Sequence, residues 1–242
     1  MILKNTANLG DNLLQLNFMR RACRKDRSLT FDYFCKSEYH TALSDFINNQ
    51  ILLLPLEVAP PDTLDTWIAA PCHGGFYHRH PLQREYPQFY LAFFTMLARR
   101  LGIDNPIRTV GDVMLQASCF ESWPDRSFVD VLVIDCPAKS GQFNFVPEQW
   151  SDAVARLRAK GLLVATVNGM GRTLKEIGQL AVNAKHVWAV GTGPLHAAFN
   201  TVAAQRVESW HIFDHCHDYC YNDRVVMHHS GLDLESISLS RY

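Results

Sequence analysis

A glycine-rich turn that carries a threonine and a histidine lies at residues 191–196. An apolar run at 186–190 predicts a buried strand before it, and a run of small residues predicts a helix after it. At such a junction, backbone N–H groups and the positive end of a helix dipole can bind a phosphate. Thr192, Gly193 and His196 are therefore candidate ligands of a diphosphate. The alternative is that the glycines only supply positive φ angles.

An aspartate that could act as a general base lies near the N-terminus. Gly10, Asp11 and Asn12 follow a predicted strand at 2–4 and open a predicted helix over 12–24. Open α/β sheets bind their ligands at the carboxyl ends of their strands, which is where this turn must lie. We therefore expect Asp11 to accept a proton, with the backbone of Gly10 and Asn12 beside it. The alternative is that Asp11 is the N-cap of its own helix.

A third candidate site follows the predicted strand at 129–135, whose near-continuous apolar character is typical of a parallel sheet covered on both faces. Lys139, Ser140 and Gly141 lie in the loop after this strand. The hydroxyl and the glycine N–H could face a phosphate, and the lysine could supply positive charge. An ordinary β–α loop explains the segment equally well.

The C-terminal stretch is rich in histidine and cysteine, which are ligands of zinc and iron. Its two cysteines have the spacing Cys-x-x-x-Cys, which differs from the Cys-x-x-Cys pairs of a closed zinc site. We expect solvated or core side chains here and no metal site, with a metal-binding function left open. The stretch contains His211, His215, Cys216, His217, Cys220, His228 and His229.

The composition is that of a globular protein of 242 residues, 48% hydrophobic and 19% charged. A net charge of −1 argues against a nucleic-acid-binding protein, which would carry a strongly basic face. A basic cluster at 20–25 fits the end of a helix. The seven cysteines are odd in number and scattered, as in a reducing compartment. Without a signal-peptide pattern or a membrane-spanning run, we expect a cytoplasmic protein, with peripheral association at the inner membrane face left open.

Strand-like and helix-like segments alternate along the chain, which predicts an α/β fold built from two Rossmann-like domains, residues 1–120 and 121–242. The predicted strands lie at 2–4, 30–35, 51–56, 67–70, 129–135, 162–167, 186–190 and 207–213. The predicted helices lie at 12–24, 39–48, 86–101, 147–159 and 174–183.

With its first and last turns taken together, the chain resembles the lipopolysaccharide heptosyltransferase family of GT-B glycosyltransferases, as a short and diverged member. Residues 10–14 (Gly-Asp-Asn-Leu-Leu) match that family's Gly-Asp-x-Leu-Leu element. Residues 191–196 are similar to its Asp-(Ser/Thr)-Gly-x-x-His element, with Gly191 in place of the acidic residue. Residues 173–177 resemble its Ser/Thr-Leu-x-Glu-Leu helix start. The family's donor-loop lysine has no clear equivalent in 142–146, and Lys139 or Arg172 could substitute for it.

The resemblance implies a GT-B-like fold, in which two small Rossmann-like domains face a cleft. Residues 1–120 would form the acceptor side, and residues 121–242 would bind the nucleotide-sugar. Asp11 would be the catalytic base on the acceptor hydroxyl. The residues that would hold the nucleotide diphosphate are Thr192, Gly193, His196, Lys139, Ser140 and Gly141.

The implied reaction is an inverting transfer of a sugar from a nucleotide-sugar donor to a glycan or lipid-linked acceptor, as in surface polysaccharide assembly. It needs no cofactor or metal, because protein dipoles and cations can stabilise the leaving diphosphate. Two alternatives stay open. One is a non-catalytic nucleotide-sugar-binding protein of the same fold, and the other is a metal-binding protein that uses the C-terminal histidines and cysteines.

Overall fold

A computed structural model describes residues 1–69, 89–116, 119, 128–137, 145–167, 172–213 and 227–229. The chain forms two compact units, Met1–Leu115 and Gln116–Tyr242, which we call the N-terminal and C-terminal units. Each unit contains its own parallel β-sheet with helices between the strands, so the predicted α/β fold is confirmed.

The N-terminal unit has a four-stranded sheet in the order β3-β2-β1-β4, in which every neighbouring pair is parallel. The strands are β1 (Ile2–Lys4), β2 (Phe31–Cys35), β3 (Ile51–Pro55) and β4 (Leu64–Asp65). The helices are α1 (Leu9–Lys25), α2 (His40–Leu43), α3 (Thr66–Ala69), α4 (Phe89–Leu101) and α5 (Val110–Val113). Short 3-10 turns lie at Ser37–Tyr39, Ser44–Phe46 and Leu56–Val58.

Helix α1 forms because apolar side chains recur at helical spacing and can be buried together against the rest of the unit. The predicted apolar residues are at most 2% exposed, and they are Leu13, Leu14, Leu16, Phe18 and Met19. Burying a side chain of this size contributes about 1.5–3 kcal/mol. The apolar pattern of the segment after β1 therefore accounts for the formation of helix α1.

The basic cluster at 20–25 forms the last turns of α1, as predicted. Arg21 pairs with Asp112 at 2.8 Å, and Lys25 pairs with Asp104 at 2.9 Å. Because Asp112 and Asp104 lie in the segment around α5, these cations fasten the end of α1 to that segment.

Two local predictions are wrong. Of the predicted strand at 67–70, residues 67–69 form a helix instead, because the Asp65 carboxylate accepts the N–H groups of Trp67 at 3.1 Å and Ile68 at 3.4 Å and starts α3. Residues 39–48 do not form one continuous helix. They contain α2 between two 3-10 turns, and the Asn48 side chain then accepts the N–H of Gln50 at 3.1 Å and directs the chain into β3.

The C-terminal unit has a sheet in the order β6-β5-β7-β8-β9, again parallel throughout its described strands. The strands are β5 (Val129–Ile134), β6 (Val164–Thr166), β7 (Ala184–Val190), β8 (Ser209–Phe213) and β9 (Met227–His229). The helices are α6 (Pro147–Ala159), α7 (Leu174–Val182), α8 (Gly193–Ala198) and α9 (Ala203–Arg206).

Helix α6 shows how this unit packs. Pro147 occupies its first turn, where the missing N–H does no harm. Gly161 ends it at a φ of 83°, in the left-handed region that favours glycine. The ring of Trp150 is 1% exposed and meets Phe213 edge to face at 5.0 Å, which joins α6 to the sheet.

Candidate functional site

In each sheet, the chain adds strands on one side of the unit's first strand and then crosses over to its other side. β1 lies between β2 and β4, and β5 lies between β6 and β7. At such a point the connections leave in opposite directions and open a crevice at the carboxyl ends of the strands, where open α/β sheets bind ligands. Asp11 follows β1, and the turn at 191–193 follows β7, so each predicted site lies next to the crevice of its own unit.

Asp11 lies in the first turn of α1, as its third residue, and is not its N-cap. The helix starts at Leu9 and Asn8 is the N-cap, because Asn8 rather than Asp11 has extended backbone angles. The Asn8 N–H donates to Asp11 Oδ2 at 3.3 Å, and the Tyr90 hydroxyl donates to Asp11 Oδ1 at 2.9 Å. Each carboxylate oxygen accepts about two hydrogen bonds, so both keep capacity for a further donor. The capping contact and a catalytic role are therefore compatible.

Partial burial raises the pKa of Asp11 from 3.8 to about 6. The hydrogen bonds from Tyr90 and Asn8 and the positive charge of Lys36 act in the opposite direction and keep the pKa from rising further. A carboxyl group that titrates near 6 is ionised at pH 7 and is still a stronger base than an ordinary aspartate. Such a carboxylate has the chemistry that a general base needs at neutral pH.

Asn12 holds the turn that presents Asp11. Its side chain is fully buried and donates to the carbonyls of Ala7 at 3.3 Å and Asn8 at 2.9 Å. Its Oδ1 accepts the hydroxyl of Tyr33 at 2.7 Å. The backbone N–H of Asn12 donates to the Asn8 carbonyl at 3.1 Å, so it is used inside the helix. The contribution of Asn12 is thus to the shape of the turn.

Gly10, by contrast, is the second residue of α1, where a helical N–H has no acceptor within the helix. The residue is buried. Of the backbone N–H groups of Gly10 and Asn12, that of Gly10 is therefore the better placed to contact a ligand.

Several residues at this edge of the N-terminal sheet were not identified from the sequence. The Thr6 hydroxyl donates to Asp65 Oδ2 at 2.8 Å and ties the end of β1 to the end of β4. The ammonium of Lys36 lies 5.6 Å from the ring centre of Tyr39, just after β2. Tyr90 contacts Asp11 across 79 residues of chain. These residues fit no motif, and only the packing of their elements brings them together.

The turn after β7 has a compact geometry. The Gly191 N–H donates to the Phe213 carbonyl at 3.1 Å, and the Thr192 hydroxyl donates to the Val190 carbonyl at 3.3 Å. Thr192 is the N-cap of α8, so Gly193 is its first residue. Within the described residues, positive φ occurs at Gly102 and Gly161 and not in this turn. The interpretation that the turn glycines serve only to reach positive φ is therefore wrong.

His196 lies within α8 and is partly buried. Burial lowers the pKa of His196 from 6.5 to about 4, so its ring is neutral at pH 7. A neutral imidazole can donate one hydrogen bond to a phosphate oxygen but brings no positive charge. Among the described residues, Arg172 is a cation at the same edge of the sheet, where its Nε donates to the Thr166 carbonyl at the end of β6 at 3.0 Å. Lys139, Ser140 and Gly141 lie outside the described residues.

Two cysteines at the strand ends are unsuited to nucleophilic catalysis. Cys136 follows β5 and Cys35 ends β2, and burial raises the pKa of each thiol to about 12. Both are protonated at neutral pH, whereas the reactive form of cysteine is the thiolate.

The described part of the chain contains no group of three or more histidine, cysteine or acidic residues that could hold a metal ion. His211 is a core residue on β8, 3% exposed, and its ring lies 5.9 Å from that of Trp188. His228 and His229 lie on β9. His215, Cys216, His217 and Cys220 lie outside the described residues. None of the described helices is long and apolar enough to span a membrane.

No protein-family model and no curated protein matches the sequence. Several solved structures match the fold. E. coli heptosyltransferase WaaC with ADP has a TM-score of 0.56 and 13% identity, over 88% of this chain and 86% of that chain. The glycosyl transferase family 9 protein of Veillonella parvula DSM 2008 has a TM-score of 0.53 and 10% identity, over 94% of this chain and 85% of that chain.

The iron-containing dodecameric glycosyltransferase TibC of enterotoxigenic E. coli has a TM-score of 0.52 and 16% identity. The match covers 88% of this chain but 57% of that chain. At these identities the similarity is one of fold. The chain therefore has the two-sheet α/β fold of the heptosyltransferases, in agreement with the resemblance of its first and last turns to that family.

Proposed function

We propose that this chain is a glycosyltransferase that moves a sugar from a nucleotide-sugar donor to a glycan or glycoconjugate acceptor, in surface polysaccharide assembly. The observation that carries the proposal is the Asp11 carboxylate, which combines a pKa of about 6 with a position at the β1 crevice. The donor class is supported by the shared fold, since WaaC has been solved with ADP and with ADP-2-deoxy-2-fluoro heptose.

In the proposed reaction, Asp11 accepts the proton of an acceptor hydroxyl. The acceptor oxygen then attacks the anomeric carbon of the donor sugar from the face opposite the diphosphate. A new C–O bond forms while the bond from the anomeric carbon to the diphosphate oxygen breaks, and both bonding electrons leave with the nucleoside diphosphate. Because attack and departure occur on opposite faces, the anomeric configuration is inverted.

The leaving diphosphate develops negative charge that the protein must stabilise. We assign this role to Thr192, Gly193 and His196 in the turn after β7, together with Lys139, Ser140 and Gly141, which follow β5 in the sequence. Since His196 is neutral at pH 7, it acts as a hydrogen-bond donor, and the positive charge comes from Lys139 or Arg172. On this proposal the donor needs no metal ion, because side chains and backbone supply the stabilisation.

A thermal-shift screen of the untagged protein against nucleoside diphosphates and nucleotide sugars tests the donor assignment. Ligands that bind the native state raise the melting temperature as they saturate it. We expect ADP or an ADP-sugar to give the largest shift, and the shift should persist in the presence of a metal chelator. If no nucleoside diphosphate or nucleotide sugar shifts the melting temperature, the proposed function is wrong.

Replacing His196 by alanine is expected to weaken binding of the nucleoside diphosphate by about tenfold, because one hydrogen bond to a charged phosphate is lost. Calorimetric titration measures the dissociation constant. The control is His186→Ala, which lies at the amino end of β7, away from the turn, and bonds to Ser209 at 2.9 Å. Equal dissociation constants for wild type and the His196 variant would remove His196 from the diphosphate site.

A non-catalytic nucleotide-sugar-binding protein would show the same shifts without turnover. Sugar transfer by the wild-type protein, and its loss on removal of the Asp11 carboxylate, separates this alternative from the proposed enzyme.

A metal-binding function is a second candidate, favoured by the histidine- and cysteine-rich sequence at 211–229 and by the iron-containing neighbour TibC. Elemental analysis of protein purified without a histidine tag decides it. Near-stoichiometric iron or zinc would support a metal site in the C-terminal unit, and trace amounts would exclude one.

A further inference from the structure

The hydroxyl of Tyr90 makes a direct hydrogen bond to the candidate base. Tyr90 lies in the first turn of α4 and donates to Asp11 Oδ1 at 2.9 Å. The other carboxylate oxygen, Oδ2, accepts the Asn8 N–H at the longer distance of 3.3 Å. The two oxygens of Asp11 are therefore not equivalent. Oδ1 is held by a short bond from a neutral phenol, while Oδ2 has the weaker partner.

The ring of Tyr90 has little freedom to move. It is 3% exposed and stacks on Phe94 with ring centres 6.3 Å apart. Phe94 stacks in turn on Phe18 of α1 at 5.2 Å and meets Phe93 edge to face at 5.1 Å. Trp67 lies 5.7 Å from Phe93 and extends the cluster to the end of β4. Because α1 carries both Phe18 and Asp11, the cluster that holds α4 against α1 also fixes the phenol opposite the carboxylate.

We propose that Tyr90 is a positioning residue for Asp11: its phenol holds Oδ1 and orients the carboxylate so that Oδ2 takes the acceptor proton. This inference rests on the proposed function of Asp11 as the base. Tyr90 does not exchange a proton in the reaction. It fixes the carboxylate plane before the acceptor binds, and it favours the ionised form of Asp11, because a donor stabilises a carboxylate more than a carboxylic acid.

The other titratable groups around Asp11 do not replace the hydrogen bond from the Tyr90 hydroxyl. Lys36 favours the ionised carboxylate through its positive charge. Tyr33 and Tyr39 are buried and stay protonated, since burial raises the pKa of each above its usual value of 10. The titratable groups that share this environment are Lys36 and Tyr39 after β2, Tyr33 and Cys35 on β2, and Asp65 on β4. The effect of Lys36 on the pKa of Asp11 is an electrostatic one between charges, so Lys36 does not orient the carboxylate as a hydrogen bond does.

The test is Tyr90→Phe, which keeps the ring and its packing and removes the hydroxyl. Loss of the donor should raise the pKa of Asp11, so the acid limb of the kcat profile should move upward by about 1 pH unit. At pH 8.5, where Asp11 is ionised in both proteins, kcat should fall by a few fold through loss of orientation, with KM for the donor unchanged. A profile that coincides with that of wild type would overturn the proposal.

Phe93→Leu is the matched control, because it loosens the same aromatic cluster without touching a hydrogen bond to Asp11. It should lower the melting temperature and leave the acid limb in place. If Phe93→Leu moves the limb as far as Tyr90→Phe does, general loosening is responsible and Tyr90 has no specific role.

A carbon-13 NMR titration of the aspartate carboxyl groups separates this inference from the proposed function. The Asp11 signal is assigned as the one missing from Asp11→Asn, and no turnover is needed to follow it. Its pKa should be higher in Tyr90→Phe than in wild type, and equal values would overturn the inference. If the pKa moves but no nucleotide sugar is turned over by wild type, the coupling between Tyr90 and Asp11 stands while the proposed function fails.

Discussion

Asp11→Asn is expected to lose sugar transfer by about 10²–10⁴-fold while it keeps nucleotide affinity. An amide cannot accept the acceptor proton, and it has nearly the shape of the carboxylate, so the turn should be preserved. The assay is release of nucleoside diphosphate and formation of glycosylated product at saturating donor. The control is Asp26→Asn, an exposed aspartate at the opposite end of α1, which should transfer at the wild-type rate. Undiminished turnover in Asp11→Asn would mean that another group is the base.

The pH dependence follows from the same carboxyl group. With a pKa of about 6, Asp11 is protonated at pH 5 and cannot act as a base, so wild-type kcat should rise with pH through about 6 and level off above 7. An acid limb centred near pH 4 would indicate an ordinary exposed carboxylate. That result would contradict the environment described for Asp11.

The stability of Asp11→Asn gives a second, independent readout. The pKa of Asp11 is raised on folding, from 3.8 to about 6, so the native state binds this proton more tightly than the unfolded chain does. The resulting stabilisation is fully present below pH 3.8 and is lost as the pH rises through about 6. At pH 8 the wild type carries a partly buried charge that the variant lacks. Asp11→Asn should therefore unfold at an equal or higher urea concentration than wild type at pH 8, with the difference shrinking towards pH 4.

Asn12→Ala is expected to destabilise the N-terminal unit by about 2–4 kcal/mol, because it leaves the buried Tyr33 hydroxyl and the Ala7 carbonyl without the partners described for them. Tyr33→Phe removes the same bond from the other side and should be milder, at about 1–2 kcal/mol. Urea unfolding measures both. Asn49→Ala, at an exposed asparagine, serves as the control and should change the free energy of unfolding by less than about 0.5 kcal/mol.

A double-mutant cycle shows whether the bond between Asn12 and Tyr33 is responsible. If the 2.7 Å contact matters, the double variant should be less destabilised than the sum of the single variants by at least about 0.5 kcal/mol. Strict additivity would mean that the two side chains act separately and that the turn before Asp11 does not depend on their contact.

The alternation of strands and helices in the sequence was sufficient to predict two parallel sheets. In a β–α–β chain every strand-to-helix turn lies at the same edge of its sheet, so Asp11 and the turn at 191–193 had to lie at carboxyl ends. The sequence also predicted that helix α4 ends at residue 101. Gly102 follows it with a φ of 65°, a backbone angle that few other residues tolerate. The apolar spacing in α1 likewise predicted which of its side chains are buried.

Local competition between caps was harder to predict. The sequence offered Asp11 as a candidate N-cap, but Asn8, three residues earlier, is also of a favoured capping type. Asn8 is the cap because the helix starts at Leu9, which moves Asp11 inward to a position where its carboxylate can meet Tyr90. The strand predicted at 67–70 fails for a similar reason, since Asp65 caps a helix that starts at Thr66.

The sequence by itself determined the α/β fold, the strand ends at which the candidate residues lie, and the chemical types of those residues. These features depend on patterns within one element and its adjoining turn, which a linear sequence contains. Only the tertiary structure decided that Asp11 is partly buried with a pKa near 6, that Tyr90 donates to it, and that Tyr33 supports its turn through Asn12. Those contacts join residues 79 and 21 positions apart, and they exist because α4 and β2 pack against α1.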